Sequence, residues 1–539
     1  MILPTHREYP EPEDWAGQTI FERGRRHAES DPQGIAIVEG DLALGFGQLV
    51  ADAQALAAGI AALGVRAGDV ISFQTPNWYE AAVINLAAAA GGFVINPIVP
   101  IYRDAEVGFM LRDSRSKLFF FAERFRGYDF AAMVERLRPE LPDLLAAVPV
   151  RPAGGANGDY EALLAHGRGR QASLPDVDTA AVKMLLYTSG TTGRPKGVLH
   201  SHDTLGRVMR VSNDWWQVRA GEAILMPSPV THISGYANGL ERPFFSGARA
   251  VLMEHWDVDE ALRLIARHGV VGTVAATPFL RELAIRAAAA GAALPTLRFF
   301  ACGGAAVPPE LVRQANTDFG RTVAFRAYGS SEAPLVTPGI GETDSGEVAA
   351  TTDGRVVDYE VKAVDGEGRA LPPGAEGELL VRGPGLFLGY TDPQDNAAAF
   401  DPEGFFRTGD IGTVSADGIL TITGRKKDLI IRGGENISAK EIEDALHRHP
   451  AIQEAAVVAM PHERLGEGIC AVLIARGATR PGLAELADYL SGEGLARQKC
   501  PERCVWVATL PQTASGKVRK DLLRAMAASE DGFAALKPV

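Results

Sequence analysis

The chain has 539 residues, 46% of them hydrophobic, a formal net charge of −13 and four cysteines. That length exceeds one compact domain and supplies apolar residues for a sizeable core. The acidic balance argues against nucleic acid or an anionic membrane surface as main partner. Cys500 and Cys504 are close in sequence, but no second pair or histidine cluster completes a zinc site, so free thiols are expected.

Met1–Asp14 is polar and proline-rich and lacks the apolar stretch of a secretory signal, so a cytoplasmic, reducing setting is expected. Thr19–Ser30 reads as a helix ended by Asp31-Pro32. Ile35–Glu39 and Leu42–Phe46 read as a hairpin around Gly40-Asp41. Gln48–Leu63 carries apolar residues at the helical period and is closed by Gly64. Asp69–Gln74 reads as a strand, Trp78–Ala90 as a helix and Gly92–Ile98 as a strand. The apolar stretch Ala81–Ile98 is broken by Asn85, Gly91, Gly92 and Asn96, which suits a core helix and strand and not a membrane span. Leu141–Asp178, with Pro, Gly and Ala throughout, is expected to be a long loose connection.

A mostly apolar strand, Val182–Tyr187, then leads into Thr188-Ser189-Gly190-Thr191-Thr192-Gly193-Arg194-Pro195-Lys196-Gly197. Glycines allow close backbone approach, and hydroxyls, free N–H groups and a lysine suit phosphate oxygens. A P-loop would need Ser or Thr directly after the lysine, and Pro195 resists a helix starting there, so that reading fails. Thr204–Trp216 is expected to be a helix, Ala223–Met226, Val270–Ala275 and Leu297–Cys302 strands, and Phe279–Ala290 a packing helix. Alternating short strands and helices imply α/β layering with largely parallel sheets. Four further strings stand out: Thr231-His232-Ile233-Ser234-Gly235-Tyr236, Gly303-Gly304-Ala305, Tyr328-Gly329-Ser330-Ser331-Glu332 and Thr408-Gly409-Asp410. A carboxylate beside a Gly-Ser turn suits a magnesium ion that bridges phosphates, although a lone surface Glu is the commoner case. Gly383–Tyr390 has the wrong spacing for a dinucleotide fingerprint, and Pro384 intrudes.

From Asp428 the pattern becomes a compact α+β unit. Asp428–Arg432 is a strand, and Ser438-Ala439-Lys440-Glu441 reads as a capping box for a helix to His449. Strands at Glu454–Val458 and Ile469–Ile474 and a helix near Leu483–Leu490 follow, before the loop Pro511-Gln512-Thr513-Ala514-Ser515-Gly516-Lys517.

Over nearly the whole length, and in order, these strings resemble the motifs of the adenylate-forming enzymes, in their acyl-CoA synthetase branch. The resemblance implies a large multi-subdomain α/β N-terminal domain with layered sheets and helices, residues 1–424. A small α+β C-terminal domain, residues 425–539, would follow after a hinge at Lys427. It implies that Thr188, Ser189, Gly190, Thr191, Thr192, Gly193 and Lys196 hold ATP phosphates, and that Glu332 with Thr188 serves Mg²⁺. Gly303, Gly304, Ala305, Tyr328, Gly329, Ser330 and Ser331 would surround the adenosine, and Asp410 and Arg425 would bind the ribose. Where the family continues Ala-Pro-Leu, this chain has Ala305-Ala306-Val307. Lys517 would neutralise charge at the α-phosphate, and His232 would stand beside the substrate carboxylate. His232, Gly235, Tyr236, Cys302, Gly303, Gly329 and Pro334 would form the acyl pocket, and Gly433, Gly434 and Glu435 the pantetheine tunnel.

The implied reaction is AMP-forming ligation of a carboxylic acid to coenzyme A, with ATP, Mg²⁺ and CoA as cofactors. The general look is closest to cyclohexanecarboxylate- and medium-chain-type ligases. Small residues dominate the expected pocket and no Lys or Arg is evident there, which favours a monocarboxylic acid of moderate size. The alternative acceptor is a separate carrier protein. A luciferase-type oxygenase has no positive feature here, and Glu332 with Lys517 argues against a non-catalytic nucleotide binder. No nucleic-acid partner or membrane insertion is expected; a homodimer is left open.

Overall fold

Short runs of β-branched and aromatic residues form strands, and the alanine-rich stretches between them form the helices that cover or separate the sheets. The computed structural model describes residues 17–152, 158–168, 170, 174–188, 194–292, 294–304, 307–321, 323–341, 343–433, 435–513, 517–529, 531–534 and 536. Two seven-stranded sheets build most of the large N-terminal domain. The first runs in the order Ala324–Arg326, Phe299–Cys302, Val270–Ala275, Ala223–Met226, Arg249–Leu252, Ile35–Glu39, Leu42–Gly45. It is parallel except for the terminal hairpin. The second runs Gly389–Tyr390, Lys196–Ser201, Val182–Thr188, Val94–Pro97, Val70–Gln74, Leu118–Ala122, Ala146–Val150. Here only the two pairings that involve Lys196–Ser201 are antiparallel.

The helix Tyr79–Gly91 is buried on every face from Glu80 onward and belongs to the core cluster that joins both sheets. A helix apolar all round is an interior helix, and its alanines let neighbours approach closely. The break in the apolar stretch falls where expected, with Gly92 at φ 67° capping the helix before the strand Val94–Pro97. Among the described residues no helix is long and apolar enough to cross a membrane.

The connection 141–178 is more ordered than its composition suggests. Ala146–Val150 is the edge strand of the second sheet, and the helix Asp159–Arg168 packs on the helix Phe46–Ala62. The glycines make this crossing. A Cβ at Gly167 would stand 1.7 Å from Ala55 O, and one at Gly59 2.5 Å from Leu163 O. Backbone contact of this kind excludes any side chain.

A five-stranded antiparallel sheet follows, in the order Gly354–Arg355, Ile419–Arg425, Phe406–Val414, Gly377–Arg382, Glu360–Val364. A one-turn 3₁₀ segment, Lys426–Asp428, leads from it into the smaller C-terminal domain. That domain has its own sheet, Glu435–Ser438, Leu429–Arg432, Gly466–Ala475 and Ile452–His462, with Arg503–Trp506 added in parallel, and its own core around Ile442, Leu446, Val457 and Leu473. The capping box is only half made. Ser438 Oγ accepts from Glu441 N–H, but the Glu441 carboxylate pairs with Lys499 at 2.7 Å instead of returning to the cap. Lys499, remote in sequence, out-competes the local partner.

Candidate active site

Glu332 is fixed from several sides. It follows the strand Ala324–Arg326 in a tight turn, where Ser330 N–H donates to Ala333 O at 2.8 Å. Gly329 begins the turn, and a Cβ there would lie 2.3 Å from Pro334 O. Glu332 O accepts from Phe387 N–H at 2.8 Å, and its carboxylate Oε1 accepts from the Tyr390 hydroxyl at 2.8 Å. One residue earlier, Ser331 O accepts from His200 Nε2 at 2.7 Å. His200 is fully buried, and burial lowers its pKa to about 4, so the ring is neutral. With Nε2–H donating, Nδ1 accepts from Thr204 Oγ1 at 3.0 Å.

Asp410 and Arg425 are cross-strand partners in the antiparallel ladder, which brings Oδ1 and Nε to 2.6 Å. Asp410 Oδ2 accepts from the Tyr328 hydroxyl at 2.7 Å. The aspartate is 2% exposed, whereas the Arg425 side chain is 44% exposed, so the guanidinium points outward from a buried anion. The Asp410 charge raises the Arg425 pKa. Burial, then the Asp410 charge, holds the Tyr328 phenol well above its ordinary range.

Lys517 reaches this group from the small domain. Its Cε would lie 3.7 Å from a Cβ at Gly304, which has φ 79°. Its loop is closed by Thr513 N–H donating to Lys517 O at 2.7 Å and Lys517 N–H donating to Thr513 Oγ1 at 3.1 Å. Burial lowers the Lys517 pKa to about 8; Arg425 and Lys427 push the same way, and Asp410 and Glu332 oppose them. His232 faces Lys517, and burial with that charge lowers its pKa to about 3. His232 is therefore neutral at physiological pH, its Nδ1 sharing a hydrogen bond with Ser234 Oγ at 3.1 Å. The fold thus brings together Glu332, Tyr328, Asp410, Arg425, Gly304, His232 and Lys517.

Residues 24–391 match the AMP-binding enzyme family, and residues 441–517 its C-terminal domain. The chain belongs to the AMP-binding enzyme family. It is 35% identical over 522 residues, 95% of its length and 90% of the relative's, to a medium-chain fatty-acid–CoA ligase of Escherichia coli strain K12. It is 30% identical over 514 residues, 95% of its length and 94% of the relative's, to a 2,3-dihydroxybenzoate-AMP ligase of Bacillus subtilis strain 168. The ATP-bound structure of MatB from Rhodopseudomonas palustris superposes with a TM-score of 0.84 at 27% identity, covering 94% of this chain and 99% of that one. The protein is an adenylate-forming acid ligase.

The remaining expected residues of this AMP-binding enzyme take up varied surroundings. Lys196 is engaged by Asp395 at 2.8 Å and lies 4.9 Å over the Tyr390 ring. Tyr236 is fully buried and turns its hydroxyl inward to Asn85 Oδ1 at 2.5 Å, in a network with Glu241 and Lys183. Cys302 is also fully buried in the main core, and burial pushes its thiol up to about 12. Gly235 is packed so that a Cβ would lie 2.0 Å from Pro229 O, and Gly303 so that one would lie 2.4 Å from Ala327 O. Gly433, at φ 61°, and Glu435 belong to the hairpin Leu429–Arg432/Glu435–Ser438, with Gly433 N–H donating to Leu465 O. Thr188 ends its strand. Ser189, Gly190, Thr191, Thr192, Gly193, Ala305 and Gly434 lie outside the described residues.

Sequence reading missed His200, Phe387, Tyr390 and Asp395 around Glu332. Tyr390 and Phe387 lie in the Gly383–Tyr390 string, which in sequence resembles only a misspaced nucleotide fingerprint. It also missed Arg242, 1% exposed, whose Nε and Nη2 donate to Asn238 Oδ1 at 3.0 and 2.8 Å. Asn238 lies on the same helical segment as Tyr236 of the expected pocket, so a cation does stand close beyond that pocket.

Proposed function

We propose that this ligase activates a monocarboxylic acid of moderate size (medium-chain, alicyclic or aromatic) with ATP and transfers the acyl group to coenzyme A. The observation that carries the reading is Lys517, half-buried beside Gly304 and within electrostatic reach of Glu332, Asp410, Arg425 and His232, although it is remote from all of them in sequence. A lysine loses the solvation of its charge there, and an anionic substrate would restore it.

In the first half-reaction the substrate carboxylate attacks the α-phosphorus, the bond to pyrophosphate breaks, and acyl-AMP forms. Lys517 would neutralise the charge that gathers between carboxylate and α-phosphate, and His232, neutral, would line the carboxylate side without adding charge. The Asp410 carboxylate would accept from the ribose hydroxyls while Arg425 holds it in place. Glu332 fits a magnesium ion: Oε1 is committed to Tyr390, and Oε2 has no partner among the described residues. With Glu332 and Thr188 to hold it, Mg²⁺ would supply positive charge that offsets the phosphates. Thr188 and Lys196 begin and end the phosphate loop, and for Lys196 the phosphates would replace Asp395.

In the second half-reaction the thiol attacks the acyl carbon and AMP leaves with the electron pair. Residues 425–539 would rotate about Lys427, withdraw Lys517 and bring the hairpin with Gly433 and Glu435 to the pantetheine arm. No covalent enzyme intermediate is needed. The likeness to a medium-chain fatty-acid–CoA ligase supports this acceptor, and the likeness to a 2,3-dihydroxybenzoate-AMP ligase favours a carrier protein as the second reading. A cytoplasmic setting accompanies either.

The test is hydroxamate trapping of acyl-AMP over aliphatic, alicyclic and aromatic acids, followed by CoA addition to the best acid. Acid-dependent trapping and CoA thioester formation are expected. Trapping without CoA transfer would move the assignment to the carrier-protein reading; no trapping with any acid would remove the reading.

A further inference from the structure

Tyr390 stands between the phosphate-loop strand and Glu332. Its strand, Gly389–Tyr390, pairs with Lys196–Ser201, with Val198 opposite Tyr390. Asn396 clamps its backbone on both sides: Tyr390 N–H donates to Asn396 Oδ1 at 2.7 Å, and Asn396 Nδ2 donates to Tyr390 O at 3.0 Å. The ring is 8% exposed and packs edge-on to Phe387 at 4.9 Å, and Lys196 Nζ lies over the ring at 4.9 Å. Its hydroxyl is therefore delivered to one point, 2.8 Å from Glu332 Oε1. Burial and the neighbouring Glu332 charge keep the phenol protonated, so it donates.

We propose that Tyr390 is the positioning residue for the metal-binding carboxylate: it occupies Oε1 of Glu332 and so presents Oε2 in one orientation. The proposal rests on the reading of Glu332 as the Mg²⁺ ligand. A hydrogen bond to a charged group is worth about 1.5–3 kcal/mol, enough to bias the carboxylate toward the rotamer that leaves its other oxygen aimed outward. Partners of this kind typically change metal affinity 10–100-fold when removed. Lys196 and Asp395 sit on the same ring, so the residue that orients the carboxylate also touches the cation that ends the phosphate loop.

The test compares Tyr390→Phe with Glu332→Gln. Phenylalanine keeps the ring against Phe387 and Lys196 and deletes only the donor. Mn²⁺ binding to enzyme plus a non-hydrolysable ATP analogue is followed by electron paramagnetic resonance. The Mg²⁺ requirement of acyl-AMP formation and the thioester step from synthetic acyl-AMP and CoA are measured alongside. Tyr390→Phe is expected to weaken Mn²⁺ binding about 10-fold or more, raise the Mg²⁺ requirement in parallel and leave the thioester step within twofold. Unchanged Mn²⁺ affinity in Tyr390→Phe beside a weakened Glu332→Gln would overturn the role of Tyr390 alone. Unchanged affinity in Glu332→Gln would overturn the metal reading itself. Equal loss of both half-reactions in Tyr390→Phe would mean that the hydroxyl serves only the packing.

Discussion

Lys517 is the residue at which sign and magnitude can be argued together. Its folded pKa of about 8 lies below the ordinary lysine value because burial disfavours the charged form, with Arg425 and Lys427 adding to the effect. The cation is thus present below pH 8 and lost above it. In free enzyme, kcat/KM for acyl-AMP formation is expected to fall above an apparent pKa near 8, while the thioester step from supplied acyl-AMP shows no such fall, its thiol being more reactive as pH rises. His232, with its pKa near 3, contributes no inflection between pH 5 and 9. Lys517→Ala should slow acyl-AMP formation by on the order of 10²–10³-fold and spare the second step. Stopped assays of each half-reaction across pH check both, and a common pH profile for the two steps would remove the assignment. The motif residues were legible because their strings are long and ordered. Tyr390, His200 and Asp395 were not, since each reads in sequence as strand or helix filler. Their importance comes from register: Val198 opposite Tyr390 is what brings residue 390 to residue 332.

Elements carry the next two expectations. The short helix Pro393–Ala399 holds Asp395 against Lys196. If Lys196 serves the phosphates, Asp395 competes with ATP, and Asp395→Asn should lower the KM for ATP several-fold. Stability should move by less than about 1 kcal/mol, since partly exposed pairs contribute little. An ATP KM that stays put or rises would assign Lys196 to structure instead of substrate. The crossing of Phe46–Ala62 with Asp159–Arg168 makes the opposite case, stability without function. Gly167→Ala places a methyl carbon 1.7 Å from Ala55 O and must separate the helices. About 1–3 kcal/mol or more of destabilisation follows, read as a fall in Tm with the KM for ATP preserved. A variant as stable as wild type would contradict the close crossing. The sequence hid this helix because it lies in a Pro-, Gly- and Ala-rich connection, where a glycine such as Gly167 reads as loop or as tight helix crossing equally well. What separates them is the facing glycine, Gly59, more than a hundred residues earlier.

At the scale of the molecule, the two-domain layout was legible from the change of pattern at Asp428, but the contacts that set the domain pose were not. The 3₁₀ turn Lys426–Asp428 is tied to the small domain, with Arg524 donating to Lys427 O at 3.2 Å and bridging Asp428 at 3.1 Å. Across the domains, Arg281 on the helix Thr277–Ala290 meets Glu454 on the strand Ile452–His462 at 2.6 Å, with side chains 17% and 20% exposed. This pair closes while Lys517 is inserted, so a rotation that withdraws Lys517 must separate it. On the proposed two-pose mechanism the pair would favour the pose in which Lys517 is inserted. Glu454→Gln keeps the shape, removes the charge and weakens the pose by on the order of 1 kcal/mol, about a fivefold shift in population. Acyl-AMP formation is expected to slow by up to that factor, while thioester formation from supplied acyl-AMP holds or rises. Lys427→Pro would act on the proposed pivot by fixing φ, and should do the reverse: acyl-AMP formation persists and thioester formation drops. The two variants measured side by side in both half-reactions discriminate sharply. Opposite asymmetries support rotation about residue 427 against an Arg281–Glu454 latch. Matching losses in both variants would mean that each damages the fold, and wild-type thioester rates in Lys427→Pro would move the pivot elsewhere.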